Sequence, residues 1–121
     1  MTKNRQKLGH RAEAFAADYL KRKGYSILAQ NYRCRYGEID IVALDKRTLV
    51  FVEVRAKVTT DFGLPQESIG YRKQKKLREV ARYYLATERE KGSICRFDVV
   101  AVQYNVGSQK VEKLEHIENA F

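Results

Sequence analysis

At 121 residues and 44% hydrophobic content, the chain is long enough for one compact domain with a real core. No Pro/Gly/Ser-rich linker, internal repeat or low-complexity tract divides it, so a single domain over residues 1–121 is expected. Its 24 Lys and Arg against 15 Asp and Glu leave a formal charge of +9 and a pI near 9.7. Such an excess favours a polyanionic partner, nucleic acid before others, because each neutralised phosphate releases condensed counterions. The same composition argues against several classes. No apolar signal-peptide core follows Met1-Thr2-Lys3-Asn4-Arg5, and runs such as Leu49 to Val52 are too short to span a bilayer. Cys34 and Cys95 lack the paired spacing of a zinc or redox site, and with two histidines no zinc site is expected. The expectation is a cytoplasmic protein with reduced, structural thiols.

Leu8, Ala12, Phe15, Ala16, Tyr19 and Leu20 recur at helical spacing, which predicts a helix from about Arg5 to Lys23. Lys21, Arg22 and Lys23 complement its C-terminal dipole and Gly24 supplies the stop. Glu13 falls about 100° from the centre of that stripe, beside the small residues Gly9, Ala16 and Ala17. It reads either as a solvated flank residue pairing with Arg5 or Lys21, or as a carboxylate at the edge of the buried face with room beside it.

Tyr25 to about Arg35 reads as the first strand. Glu38 to Lys57 reads as a hairpin closed at Asp45-Lys46-Arg47-Thr48, by a loop of two residues or four. Either loop puts Leu44 opposite Leu49 and Asp40 opposite Glu53. Alternation puts Ile39, Ile41 and Ala43 on one face, and Glu38, Asp40 and Val42 on the other. Like charges directly opposite destabilise a sheet. Two of them 5 Å apart at an effective dielectric near 20 repel by roughly 3 kcal/mol. A divalent cation would offset this, since hard cations such as Mg²⁺ take carboxylate oxygens. The alternative is that the two acids pair separately with Arg55, Lys57 or a helix cation. A one-residue slip would put the acids on opposite faces.

Thr59 to Pro65 reads as a loop, with Pro65 in the first turn of a short helix that Gly70 interrupts. A longer helix follows to about Lys91, with Leu77, Val80, Ala81, Tyr84 and Leu85 as its stripe and Gly92 as its stop. It carries Arg72, Lys73, Lys75, Lys76, Arg78 and Arg82 with Glu79 against them. Such a run is commonly a solvated face. Because it follows a loop leaving the acid-bearing end of the hairpin, it is also placed to rest on phosphates. Tyr36, Tyr71 and Tyr83 either stack on unpaired bases or pack near the core. Cys95 to Tyr104 and Lys110 to Ile117 read as the last strands, around a turn at Asn105-Val106-Gly107-Ser108. The order α-β-β-β-α-β-β defines an α/β protein with a mixed sheet flanked by helices, the fourth strand parallel to its partner. There is no glycine-rich phosphate loop, and a Ser-His-Asp triad would have to draw on His10 or His116, with nothing nearby to support it.

An acid on the second strand and Glu-x-(Lys/Arg) on the third, between a leading helix and a helical crossover, resembles the restriction-endonuclease fold. The resemblance extends over nearly the whole chain. Gly9-x-x-Ala12-Glu13, Tyr19-Leu20, Gly24-Tyr25, Gly37-Glu38-Ile39-Asp40, Phe51-Val52-Glu53-Val54-Arg55, Phe62-Gly63 to Ile69, Phe97-Asp98-Val99-Val100 and Ile117-Glu118-Asn119-Ala120-Phe121 are similar to the YraN-type family. These are small bacterial predicted endonucleases similar to Holliday-junction resolvases. The resemblance implies a three-layer fold in which Asp40, Glu53 and the Val54 carbonyl hold Mg²⁺ or Mn²⁺. Glu13 matches an acid that resolvase-like members carry on the first helix. Glu38 would support the site, paired across the hairpin with Arg55. The broader nuclease motif has lysine at Arg55; arginine stays protonated and cannot act as a general base, though it can orient a phosphate. Lys57, two residues on along the same face, is the other cation available. The implied function is a metal-dependent endonuclease acting on branched or single-stranded DNA. The rivals are a non-catalytic nucleic-acid-binding protein that keeps the fold, and a basic adaptor for an acidic protein. Symmetric resolution of a junction would take a homodimer.

Overall fold

The structure is a computed structural model that describes residues 2–58, 69–88, 94–105, 107–108 and 110–121. Its elements run α1 (Thr2–Arg22), β1 (Ser26–Cys34), β2 (Gly37–Asp45), β3 (Thr48–Val58), α2 (Tyr71–Thr87), β4 (Ile94–Tyr104) and β5 (Val111–Ile117). The five strands lie in chain order in one sheet, with β3 and β4 parallel and every other pair antiparallel. Ala12, Ala16 and Leu20 of α1 pack on Ile41, Val50, Val52, Val100 and Val102 on one face. Leu77, Val80 and Tyr84 of α2 pack on Val42, Leu49, Phe51 and Val99 on the other. The result is the three-layer α/β arrangement that the element order and the resemblance led us to expect. No helix among the described residues is long and apolar enough to cross a membrane. Cys34 and Cys95 are not joined in a disulfide.

Helix α1 ends in a Schellman cap. Tyr25 N–H donates to the Leu20 carbonyl at 2.9 Å and Gly24 N–H to that of Lys21 at 3.0 Å, with Gly24 at φ 103. Its buried arc differs from the expected stripe. Phe15 is exposed while Ala17 is buried, which moves the centre of the arc toward Glu13. At about 100° per residue, Glu13 then stands about 35° from that centre and faces the sheet. Helix α2 stops at Thr87 rather than near Lys91, with Glu88 as its cap. Its apolar stripe ends at Leu85, so nothing anchors a further turn, and short unanchored helix is marginal in water. Gly92 and the expected short helix after Pro65 lie outside the described residues.

The hairpin closes through the two-residue loop Lys46-Arg47, with Lys46 at φ 58, and pairs Leu44 with Leu49 as expected. Its ladder stops at Ile41–Val52, one rung before Asp40 and Glu53. There β2 turns over: Ile41 and Ala43 face α1, but Ile39 joins Val42 in the cluster under α2. The alternation that put Ile39 with Ile41 therefore fails at Asp40. The cause lies partly on the neighbouring strand. Asn31 stands opposite Asp40, between the pairs Gln30–Ile41 and Tyr32–Ile39, and adopts φ 53. A left-handed residue in a strand interrupts the pleat. At the start of β2, Gly37 has φ 145, and a β-carbon there would lie 3.3 Å from a Val80 methyl. The absent side chain lets α2 close onto the sheet beside the acids.

Candidate functional site

With the ladder broken, the Asp40 side chain takes over the missing rung. Its Oδ2 accepts the Val54 N–H at 2.8 Å. Val54 thus touches Asp40 through its N–H. Glu53, 8% exposed, stands next along β3 and is hydrogen-bonded to Asp40. Lys73 of α2 reaches Glu53 Oε2 at 2.6 Å. So one of the two acids has a helix cation, and the other has a backbone donor. The consequence is electrostatic. Burial first, then the charge of Glu53, pushes the Asp40 carboxyl up to about 8; the Val54 hydrogen bond opposes this and Glu13 adds to it. At neutral pH the Asp40 carboxyl therefore keeps its proton.

Glu13 and Glu38 join this centre through Asn31. With its amide oriented to satisfy both, Asn31 Nδ2 lies 3.0 Å from Glu13 Oε1 and 3.2 Å from Glu38 Oε2. Glu38 forms an ion pair with Arg33 at 3.3 Å, its neighbour across β1–β2. The β2–β3 ladder ends at Ile41–Val52, before the level of Glu38 and Arg55. Arg55 and Lys57 follow Glu53 at alternate positions of β3, whose pairing with β4 is regular throughout, and so share its face of the sheet.

The acids open into a cleft of about 610 Å³ between the sheet and α2, lined by Glu38, Asp40 and Glu53 on one side and Arg72, Lys73 and Lys76 on the other. The basic helix is therefore not uniform. Lys75 is exposed, and Arg78 lies 5.5 Å over the Phe121 ring, capping the stack of Phe97 and Phe121. Arg82 is a turn further along, beside Tyr83.

Among the described residues, no group of three or more His, Cys, Asp or Glu side chains is disposed to hold a metal ion. The Asp40–Glu53 pair nevertheless suits Mg²⁺ or Mn²⁺. Mg²⁺ is commonly held by one or two carboxylates, with water and substrate phosphate completing its shell. An added cation would offset the burial and the Glu53 charge that together disfavour an ionised Asp40.

A second polar network, which the sequence reading missed, lies on the opposite face under α1. Asp98, fully buried, accepts from Arg96 Nε at 3.0 Å, from the Asn119 N–H at 3.2 Å, and contacts His116 Nε2 at 2.7 Å. Arg96 also donates to Asp45 at 3.2 Å and to the Tyr25 hydroxyl at 2.6 Å. His116 Nδ1 faces Tyr19 and Lys23. It is a clamp joining the end of α1, β2, β4 and the C-terminal segment. The signal was there in Arg96 and Asp98, opposite charges two residues apart on one face of an otherwise apolar strand.

The Asp40 shift has a testable sign. The native state keeps the proton to about pH 8, whereas the unfolded carboxyl loses it near pH 4. Between those values the native state binds more protons, so the metal-free protein should lose stability as pH rises from 4 to 8, by at most about 1.4 kcal/mol per unit. Asp40→Asn should remove this slope and melt higher than wild type at pH 8 in EDTA. Parallel wild-type and Asp40→Asn melting curves across that range would refute the assignment.

Fold and cleft together define a three-layer α/β protein with a carboxylate pair just beyond the end of the β2–β3 ladder, beneath a basic helix. Comparison with known sequences gives the family. A model described as "Uncharacterised protein family UPF0102" matches residues 12–102. The chain is 49% identical over 121 residues to a UPF0102 protein of Pelotomaculum thermopropionicum, covering 100% of both chains. It is 47% identical to one of Moorella thermoacetica, again with 100% of each covered. A third, from Caldanaerobacter subterraneus subsp. tengcongensis, is 42% identical over 118 residues, 98% of this chain and 97% of the relative. The protein belongs to the UPF0102 family. The relatives' names carry no activity.

Proposed function

We propose that this protein is a metal-dependent endonuclease that hydrolyses phosphodiester bonds in DNA, with branched or single-stranded DNA as its substrate class. The observation that carries the reading is the Asp40–Glu53 pair, a half-buried carboxyl beside a buried one, lining a cleft whose other wall is cationic. Asp40 and Glu53 would hold Mg²⁺ or Mn²⁺, with the Val54 carbonyl and Glu13 as the further donors that the resemblance implies. Such an ion supplies an attacking water of lowered pKa and countercharge for the leaving oxygen. Arg55 or Lys57 orients the scissile phosphate from the same strand, Glu38 holds Asn31 in place, and Arg72 and Lys76 grip the backbone. A shared fold does not confer a reaction, so the activity stands on these groups.

A non-catalytic nucleic-acid-binding role is the second reading. It is favoured by the ion pair of Lys73 with Glu53, which already gives that carboxylate a cation. The deciding experiment is a cleavage screen over linear, nicked, flapped and four-way DNA with Mg²⁺, Mn²⁺ or EDTA, with Glu53→Ala purified alongside. Metal-dependent cleavage by the wild type alone supports the nuclease; salt-sensitive binding without cleavage supports the binder.

Both readings require phosphate contacts, and these have a salt signature. With four to six phosphates neutralised, the slope of log affinity against log salt on duplex should be roughly −4 to −5. Replacing Arg72, Lys75 and Lys76 together by alanine should flatten it by about two to three units. Lys73→Ala should change it less, since Lys73 is engaged by Glu53 in the free protein. An unchanged slope in the triple variant would mean that this face meets only solvent.

A further inference from the structure

We propose that Tyr36 and Tyr83 form a docking site for an unpaired base of a DNA strand whose phosphates lie along α2. This deepens the nuclease reading and rests on it for the identity of the polyanion. The two rings meet edge to face, 5.9 Å apart at 60°, and together border a cavity of about 240 Å³ lined also by Glu79, Arg82 and Ala86. Both rings are well exposed, at 37% and 39%.

Neither tyrosine does what its neighbours do. Tyr84, one residue beyond Tyr83, is buried edge-on against Tyr32 and Phe51 and belongs to the core. Tyr36 lies in the two-residue turn between β1 and β2, where small polar residues would serve the backbone. Leaving two large rings half in water forgoes the stabilisation that burying them would bring. Here they meet edge to face beside a cavity instead of being scattered over the surface.

The charges around the cavity select the ligand. The Arg35 guanidinium lies 5.0 Å over the Tyr36 ring and donates to its hydroxyl at 2.9 Å, which fixes the ring and adds a cation at the rim. Arg82 adds a second. Aromatic faces beside arginines suit a flat base joined to a phosphate, because every base has a π-face and stacking tolerates any sequence. Glu79 would repel a phosphate inside the cavity, but it offers an acceptor to the N–H donors of a base.

Position ties this cavity to the acid cleft. Tyr36 directly precedes Gly37 and Glu38 of the cleft wall, and Tyr83 lies two helical turns beyond Lys76, about 10 Å along the axis. That is about three nucleotides at the duplex spacing of roughly 3.4 Å, and fewer in a stretched strand. A strand crossing the acids could therefore place a base in the cavity, against the tyrosine rings that border it. A paired base could not enter, so the cavity would favour ends, flaps and junction arms over continuous duplex.

The test is fluorescence anisotropy in EDTA at fixed salt, with a labelled 15-nucleotide oligothymidylate and a 15-base-pair duplex as probes. Tyr36→Ala/Tyr83→Ala should weaken oligothymidylate binding by about 5- to 100-fold, the range for losing one stacked base, while duplex binding changes by less than about two-fold. Tyr36→Phe/Tyr83→Phe should bind like wild type, since stacking needs the ring and not the hydroxyl. Tyr71→Ala, at a 75% exposed tyrosine outside the cavity, should have no effect. Unchanged single-strand affinity in the alanine pair, or equal loss on both probes, overturns the site. Wild type failing to bind the single strand overturns it as well. Cleavage is scored separately: tyrosine-dependent binding without metal-dependent cleavage keeps this site and removes the nuclease. Cleavage with tyrosine-independent binding does the reverse.

Discussion

Glu53→Ala and Asp40→Ala should each reduce metal-dependent cleavage by at least about 10³-fold, and the double variant should be no worse than either single one. Groups that act as a unit show this non-additivity, because losing one member already disables the site. The unit here is the Asp40–Glu53 pair just beyond the end of the β2–β3 ladder, hydrogen-bonded to each other and facing the cleft. Neither change should unfold the protein. Asp40→Ala removes a carboxyl that burial disfavours, and Glu53→Ala leaves Lys73 half in water, where an ammonium is stable. Mg²⁺ should raise the wild-type melting temperature by linkage, about 2.7 kcal/mol at one hundred times its Kd, and should not affect the double variant. Lys73→Ala separates the two readings of Glu53. If the ion and the ammonium compete for that carboxylate, the variant binds Mg²⁺ as tightly as wild type or more so. Equal Mg²⁺ binding by wild type and the double variant in calorimetry would end the case for a metal site.

Asp98→Ala should destabilise the fold by about 3–5 kcal/mol, the range for removing one partner of a buried ion pair. Its carboxylate is fully buried and satisfied by Arg96, His116 and the Asn119 N–H. Burial alone would push its carboxyl up, but the hydrogen bonds from His116 and Arg96 outweigh it and hold the group below the usual carboxylate range. Deleting it leaves the guanidinium facing an empty, dry site. Asp98→Asn keeps part of the hydrogen bonding and should cost less; Tyr25→Phe removes one donor contact and should cost about 1 kcal/mol. The sign with pH is opposite to that of Asp40. A depressed native pKa gives stability that is present above the unfolded value near pH 4 and lost as pH falls through the native one. Wild type should therefore lose this stabilisation in acid, while Asp98→Asn has none of it to lose. Urea unfolding at pH 7 and pH 3 reads both effects. A cost below about 1 kcal/mol for Asp98→Ala would show that water replaces the clamp.

Local pattern determined the order of elements, the two apolar helix stripes in outline, the hairpin with its Leu44–Leu49 pairing, and hence the approach of Asp40 to Glu53. These follow from periodicities of two and 3.6 and from turn residues, which act within a few positions of one another. Where reading by pattern failed, residues far apart in sequence decided the outcome. Phe15 is apolar and fits the stripe, yet the small residues Ala12, Ala16 and Ala17 let α1 settle closest to the sheet, leaving Phe15 outside and turning Glu13 inward. Ile39 obeys alternation on β2 alone, but Asn31 breaks the pleat from β1 and turns it toward α2. The same break ends the ladder and frees Asp40 to take the Val54 N–H, while Glu38 meets Arg33 across β1–β2. Lys73 reaches Glu53 only because Gly37 lets α2 lie close over β2, and the Asp98 clamp assembles groups from four separate segments. A charge's partner is set by distance in space, and only the packed layers fix that distance.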